Sequence, residues 1–155
     1  MNKIDDYGLF ICRYISDLFE YSTLKKDCSS KNFIKAYVFS SLQKRTENKS
    51  FMIDSIDISN AYEEIKKEKK LTRGNDIYPS YVMSWIGYIM KYFSYQTGIS
   101  ERVLYGYIKP EELYRLYEAY HSLDNDLVVK RIIEAKNIRT ELNDVELLKK
   151  VYMSK

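Results

Sequence analysis

Apolar side chains recur at intervals of three and four residues along most of this chain, a pattern that predicts amphipathic helices. Short polar stretches and single turn residues interrupt the pattern and separate one helix from the next. The first half of the chain is predicted to contain, in order, a helix over residues 3–22, a helix from Ser29 or Ser30 to about Leu42, a loop over residues 43–50, and a charged helix over residues 61–70.

Residues 51–58 fit two different patterns. Ile56 and Ile58 alternate with aspartates, as the buried positions of a short strand would. Ser59, however, is well placed to cap the charged helix that follows, and Gly74 is placed to end it. The sequence therefore predicts helices on both sides of this segment, with a short strand near residues 51–58 as an alternative.

The strongest helical pattern lies in the second half of the chain, between Pro79 and Thr97. This stretch is apolar around most of its circumference, which predicts a central position in a bundle. Gly98 follows as a helix stop. The remaining predicted elements are a short helix over residues 101–107 capped by Ser100, a helix over residues 110–120, a helix capped by Asp124, and an amphipathic segment over residues 143–153.

These elements predict an all-α fold, a compact bundle of about seven helices in a single domain over residues 1–155. Only five glycines and two prolines are present, which leaves few tight turns for a many-stranded sheet. Within the domain, the pattern assigns N-terminal helices and the charged helix to residues 1–72, a tyrosine-rich helical core to residues 76–138, and a mobile C-terminal helix to residues 139–155.

The charge balance and the hydropathy pattern narrow the class of protein. The net charge is +3, from 25 basic and 22 acidic residues, which by itself does not indicate a nucleic-acid-binding protein. The N-terminal apolar run is interrupted by Asp5, Asp6 and Arg13, unlike a signal peptide. The longest weakly charged stretch, residues 77–95, contains Lys91 and is not a membrane span. We therefore expect a cytoplasmic protein without membrane contact.

Candidate catalytic and metal-binding groups are few. Cys12 and Cys28 fit packing thiols of a reduced protein, and with His121 as the single histidine no zinc site of Cys and His ligands can form. His121 lies at the end of a predicted helix, where an imidazole can bond to the last carbonyl groups. No phosphate-binding glycine loop, GxSxG turn or HExxH pair occurs. The sequence predicts a protein without a cofactor, a metal or a catalytic site.

Tyrosine is the residue that stands out, with 16 in the chain. Aromatic residues at positions 81, 85, 88, 92 and 95 fall on one face of a single helix, and tyrosines at 114, 117 and 120 follow on another. Such rings suit a surface that contacts a partner protein, because tyrosine combines apolar area with a hydroxyl group. The predicted partner-binding residues are Trp85, Tyr88, Tyr92, Tyr95, Tyr114 and Tyr117, with Arg73 and Arg102 as a charged rim. Simple core and surface filling, or a homodimer interface, would explain the same pattern.

Residues 94–138 also carry an order of motifs. A glycine precedes a serine-initiated Glu-x-x-x-Tyr helix, then come a tyrosine-rich helix ending in His-Ser and an isoleucine-rich helix. The matching positions are Gly98, Ser100, Tyr105, Tyr117, Tyr120, His121, Ser122, Ile132 and Ile133. In this order the chain resembles a small uncharacterised bacterial family encoded beside predicted ADP-ribosyltransferase-like toxins. The resemblance covers under a third of the chain and implies an antitoxin-like role in a toxin–antitoxin or phage-defence locus.

The leading hypothesis is thus a non-catalytic module that binds a toxin or effector protein and neutralises it by occlusion. One alternative is an inhibitor of a host defence complex, encoded by a phage or mobile element. Another is a DNA-binding regulator that uses a helix-turn-helix over residues 86–108 and the basic run over residues 66–70. The would-be recognition helix offers DNA only Arg102 and Lys109, which makes nucleic acid the weaker candidate.

Overall fold

The computed structural model of the chain describes residues 4–140, apart from the side chains of residues 53 and 54. All regular secondary structure in this range is helical, so the all-α prediction is confirmed. The helices are α1 (Asp6–Lys25), α2 (Ser30–Val38), α3 (Ser41–Thr46), α4 (Phe51–Asp54), α5 (Ile58–Lys69), α6 (Ser80–Thr97), α7 (Glu101–Tyr107), α8 (Pro110–Tyr120) and α9 (Asn125–Lys136). The predicted segment over residues 143–153 lies outside the described residues.

Side-chain caps set several of these helix starts. Ser29 and Ser100 each accept a hydrogen bond from the backbone N–H three residues later, and Asp124 accepts one from the N–H of Asp126, so these three predicted caps are confirmed. Gly98 ends α6 in the left-handed conformation with φ of 76°, as predicted. These features depend on neighbouring residues only.

The predicted start of α5 is wrong, whereas its predicted end is confirmed. Its N-cap is Asp57, whose carboxylate accepts a hydrogen bond from Asn60 N, rather than Ser59. The helix ends at Lys69 with Lys70 as its C-cap, which confirms the predicted end at residue 70. Lys70 adopts the left-handed conformation with φ of 50°, so Gly74 is not the residue that stops the helix. Gly74 instead allows a close chain contact, since an added Cβ would lie 2.8 Å from Ser29 N.

Residues 43–50 and 51–58 also differ from the predictions. Ser40 caps α3, which buries Gln43 and Thr46, so the expected loop is partly helical. The alternative of a strand near residues 51–58 is wrong, because α4 occupies its first half. Phe51 packs edge-on against the ring of Tyr14, with ring centroids 5.2 Å apart, and no described strand lies alongside to pair with this segment.

Helix α6 occupies the central position that its apolar pattern predicts. Its most extensive contact is with α1, and it also packs against α7, α8 and α9. The contact with α1 is close at Gly87, where an added Cβ would lie 2.8 Å from Phe19 Cγ and 2.9 Å from Ile15 O. The first helix and the tyrosine-rich helices therefore share one hydrophobic core.

A buried ion pair joins α6 to α7. Lys91 Nζ lies 3.1 Å from Glu101 Oε1, and the two side chains are 4% and 0% exposed. The ammonium group also donates to Thr46 Oγ1 at 2.7 Å, and the Tyr37 hydroxyl donates to Glu101 Oε1 at 2.7 Å. The carboxylate oxygen accepts from Lys91 and Tyr37, and the ammonium group also donates to Thr46, so the cluster ties α2, α3, α6 and α7 together in the interior.

Two further predictions can be compared with the described residues. No helix within residues 4–140 is long and apolar enough to cross a membrane. Cys12 and Cys28 are free, buried thiols, as expected for packing residues. Burial raises the pKa of the Cys12 thiol to about 12, which makes it a poor nucleophile in the folded protein.

Candidate protein-binding surface

The strongest candidate for a functional surface lies where α6 meets α8. We call it the aromatic face. It consists of Tyr78, Tyr81, Trp85, Tyr114, Tyr117 and His121.

Tyr117 holds the middle of this surface. Its ring lies 5.5 Å from the ring of Tyr81 and 5.8 Å from that of Trp85, which meets it edge-on at 83°. On α8 itself, the ring of Tyr117 stacks on His121 at 4.3 Å and 10°. These contacts hold the rings in defined orientations, which lowers the entropy lost when a partner binds.

His121 has the structural position predicted from its place in the sequence. Its backbone N–H donates to Tyr117 O, and its Nδ1 lies 2.7 Å from the same oxygen. The imidazole therefore closes α8 and supports the Tyr117 ring.

Tyr78 and Tyr114 extend the surface at its other end. Their ring centroids are 4.5 Å apart at 61°. Tyr78 is buried, and this burial raises its pKa to about 12, so it stays protonated and neutral across the physiological range. The buried ring of Tyr78 thus provides a packing surface for the ring of Tyr114, which remains 40% exposed.

Exposure along the aromatic face follows a gradient. Tyr81 is 61% exposed, whereas Trp85 and Tyr117 are half-buried and pack against the hydrophobic core. A surface with rigid, half-buried rings beneath exposed ones can bury large apolar area while its hydroxyl groups form hydrogen bonds. This arrangement suits contact with another protein.

Tyr88 and Tyr92, both predicted for the partner surface, instead form a stacked pair on α6, and Tyr92 contacts α9. Their rings stack at 6.2 Å and 19°. Tyr92 is only 6% exposed, and its hydroxyl donates to Asp126 Oδ1 at 2.5 Å. Burial, aided by this carboxylate, raises the pKa of Tyr92 to about 12. The Tyr92 side chain therefore serves the packing of α6 on α9, and Tyr88 is half-buried next to it.

Tyr95, near the end of α6, contacts the N-terminal end of α1. Its hydroxyl donates to Asp5 Oδ1 at 2.5 Å, and this bond contributes most to lowering the pKa of the Asp5 carboxyl. Gly8 leaves room for the ring, since an added Cβ there would lie 2.8 Å from Tyr95 Cε1. Tyr95 thus anchors the N-terminus of α1 to α6.

The two arginines that were predicted as a charged rim have different surroundings in the structure. Arg102 donates from Nε to Val38 O at 2.9 Å and from Nη2 to Ser40 O at 3.3 Å, so it braces the link between α2 and α3. Arg73 is exposed in the segment before α6. Of the eight predicted residues, the structure groups three, Trp85, Tyr114 and Tyr117, on the aromatic face.

The length of α6 explains this division. From position 81 to 95 the aromatic stripe covers about 21 Å at 1.5 Å per residue, so its ends meet different helices. Tyr81 follows the same spacing and could have been included from the sequence. Tyr78 lies three residues before Tyr81, but it precedes the helix, so helical geometry does not set its direction.

No group of three or more potential metal ligands occurs within residues 4–140. Comparison of the chain with protein-family models, curated proteins and solved structures found no match. The fold and the aromatic face thus define a helical bundle with a preformed aromatic surface. The family resemblance in residues 94–138 stays a prediction.

Proposed function

We propose that this protein is a non-catalytic binding module with an antitoxin-like role, acting in the cytoplasm. It would neutralise a toxin or effector protein by covering that protein's working surface with the aromatic face. The observation that carries the proposal is the rigid ring cluster on α6 and α8, with Tyr81 and Tyr114 exposed above Trp85 and Tyr117.

The physical support comes from how binding energy is distributed at protein interfaces. Tryptophan and tyrosine supply most of it when they are well packed on their own side and partly exposed to the partner. Tyr117 satisfies the first condition through its contacts with Trp85 and His121, and Tyr81 the second. An inhibitor of a host defence complex would use the same surface, so the two readings differ in the partner and not in the chemistry.

The DNA-binding alternative has less support from the contacts of α7. Arg102 is bonded to two backbone carbonyl groups, and Glu101 is buried. Lys109 Nζ lies 4.1 Å from the centroid of the Tyr105 ring and donates to Tyr105 O. Arg102 is thus held by the fold, which leaves the exposed Lys109 as the basic side chain that the predicted recognition helix would present to DNA.

The test is to co-express this gene with each flanking gene, scoring growth and then co-purification. We expect one neighbour to be toxic alone, harmless with this protein, and retained on it during purification. If no neighbour is toxic and nothing co-purifies, the antitoxin proposal fails. Should a defence complex be captured instead, the inhibitor reading replaces it.

Tyrosine substitutions then test the surface itself. Tyr114 and Tyr107 are both 40% exposed, but only Tyr114 belongs to the aromatic face, which makes Tyr107→Ala a matched control. We expect Tyr81→Ala and Tyr114→Ala each to weaken partner affinity by about 1–2 kcal/mol, with Tyr107→Ala near neutral. Affinity is measured by calorimetry. Equal effects of Tyr114→Ala and Tyr107→Ala would show that the aromatic face is not the surface that binds the partner.

A further inference from the structure

A pocket of about 430 Å³ lies between α2 and the C-terminal end of α5. It is built from residues that the aromatic face does not use. Ala36 and Leu71 supply apolar lining, Phe39 an aromatic ring, and Lys35, Lys69 and Lys70 the charge. This volume falls within the range of pockets that hold small ligands.

Among residues 4–140, the lining of the pocket contains three lysines and no acidic side chain. All three lysines are exposed, and none of them forms an ion pair with another residue in the part of the chain the structure describes. Glu68 is the acidic residue next to Lys69 on α5, and its carboxylate instead accepts a hydrogen bond from Ser41 N at 3.1 Å. A concave site lined by positive charges attracts anions such as phosphate groups.

Phe39 adds an aromatic surface to this charge. Its ring is 42% exposed and contacts the ring of Tyr105 edge-on at 5.7 Å and 81°. The Arg102 guanidinium lies 6.0 Å from the Phe39 ring centroid and is itself held by the carbonyl groups of Val38 and Ser40. A partly exposed aromatic ring next to a guanidinium group that is hydrogen-bonded in place offers a surface on which a planar base can stack.

We propose that this pocket binds a nucleotide. The phosphate groups would lie against Lys35, Lys69 and Lys70, and the base would pack on Phe39. An acidic peptide would satisfy the lysines but would give Phe39 and the apolar lining no planar group to contact. The nucleotide would bind independently of the partner protein proposed for the aromatic face.

The first experiment is calorimetric titration of the full chain with ATP, tripolyphosphate and adenosine at low salt without Mg²⁺. We expect saturable binding of ATP, weaker binding of tripolyphosphate because it lacks the ring, and weakest binding of adenosine because it lacks the charge. Absence of saturable binding at millimolar ATP overturns the proposal. Much tighter binding of a short single-stranded oligonucleotide than of ATP also overturns it, in favour of a nucleic-acid strand.

Matched variants separate the pocket from general charge attraction. Lys69→Gln with Lys70→Gln removes two charges from the pocket, whereas Lys44→Gln with Lys130→Gln removes two exposed charges elsewhere. We expect the first pair to lower ATP affinity about tenfold or more and the second pair to change it little. Equal losses from both pairs would show that the protein's overall charge, not this pocket, attracts ATP.

The Phe39→Leu variant tests the base contact. It keeps an apolar side chain of similar size, and circular dichroism with a thermal melt would verify that the variant folds. We expect it to weaken ATP binding while leaving tripolyphosphate binding unchanged. If both ligands bind as they do to the unmodified protein, the base does not contact Phe39, and the assignment of a nucleotide is wrong.

Discussion

Replacement of Lys91 by methionine is expected to destabilise the fold strongly. Lys91 Nζ lies 3.1 Å from Glu101 Oε1 with both side chains almost completely removed from solvent. Without the ammonium group, the Glu101 carboxylate would remain buried with only neutral donors such as the Tyr37 hydroxyl. Breaking a buried pair from one side in this way costs about 3–5 kcal/mol.

Such a loss is a large part of a domain's total stability of about 5–15 kcal/mol. At about 2–4 °C per kcal/mol for a chain of this size, the melting temperature should fall by roughly 6–20 °C. Glu101→Gln, which keeps the shape of the side chain but strands the buried ammonium group, should cost a similar amount. The double variant should lose clearly less than the sum of the two, because it leaves no unpaired charge.

The chain offers a matched control on its surface. Lys31 Nζ and Glu111 Oε1 are also 3.1 Å apart, but these side chains are 56% and 45% exposed. Because water screens such a pair, Lys31→Met should cost less than about 1 kcal/mol. Urea titration followed by circular dichroism measures the free energy of unfolding of all four variants. Equal losses for Lys91→Met and Lys31→Met would refute the reasoning that burial sets the size of the effect.

Two further predictions concern stability. Gly87→Ala should destabilise the fold by about 1–3 kcal/mol, because the new Cβ would press on the ring of Phe19 at 2.8 Å. Gly106→Ala meets open space within α7 and should stabilise it by about 0.5–1 kcal/mol, so opposite signs are expected in urea titrations, and equal signs would contradict this packing. Burial is also the main factor that raises the pKa of five tyrosines from 10.0 to about 12. These are Tyr7, Tyr14, Tyr78, Tyr92 and Tyr95. Since a tyrosine ionises at lower pH in the unfolded chain, the contribution of these five tyrosines to stability should be fully present below pH 10 and be lost as pH rises from about 10 to about 12. Tyrosinate absorbance and unfolding measured together test this, and constant stability across that range would contradict it.

Much of the helical architecture was predictable because helix boundaries depend on nearby residues. α7 and α8 begin and end at the positions that Ser100, Pro110 and the aromatic spacing predict. Gly98 ends α6 because glycine adopts a positive φ without steric cost. The short helices α3 and α4 were missed, since a helix of one or two turns gives little periodicity to detect and gains its stability from packing.

The candidate surfaces were predictable only in part. Helical spacing predicted an aromatic surface that includes Trp85, Tyr114 and Tyr117, but it could not assign the neighbour that each ring meets. Tyr92 pairs with Asp126, 34 positions later, and Tyr95 with Asp5, 90 positions earlier. Such distant partners decide whether a tyrosine is an exposed contact or a packing residue.

The sequence alone was enough to predict the all-α class, the boundaries of α6, α7 and α8, the central place of α6 and the aromatic character of two helices. Only the tertiary structure brought Lys91 to Glu101 in the interior and gathered Lys35, Lys69 and Phe39 around one pocket. The physical reason is the range of the interactions. Caps and helical periodicity act over a few residues, whereas burial and charge pairing depend on which helices pack together.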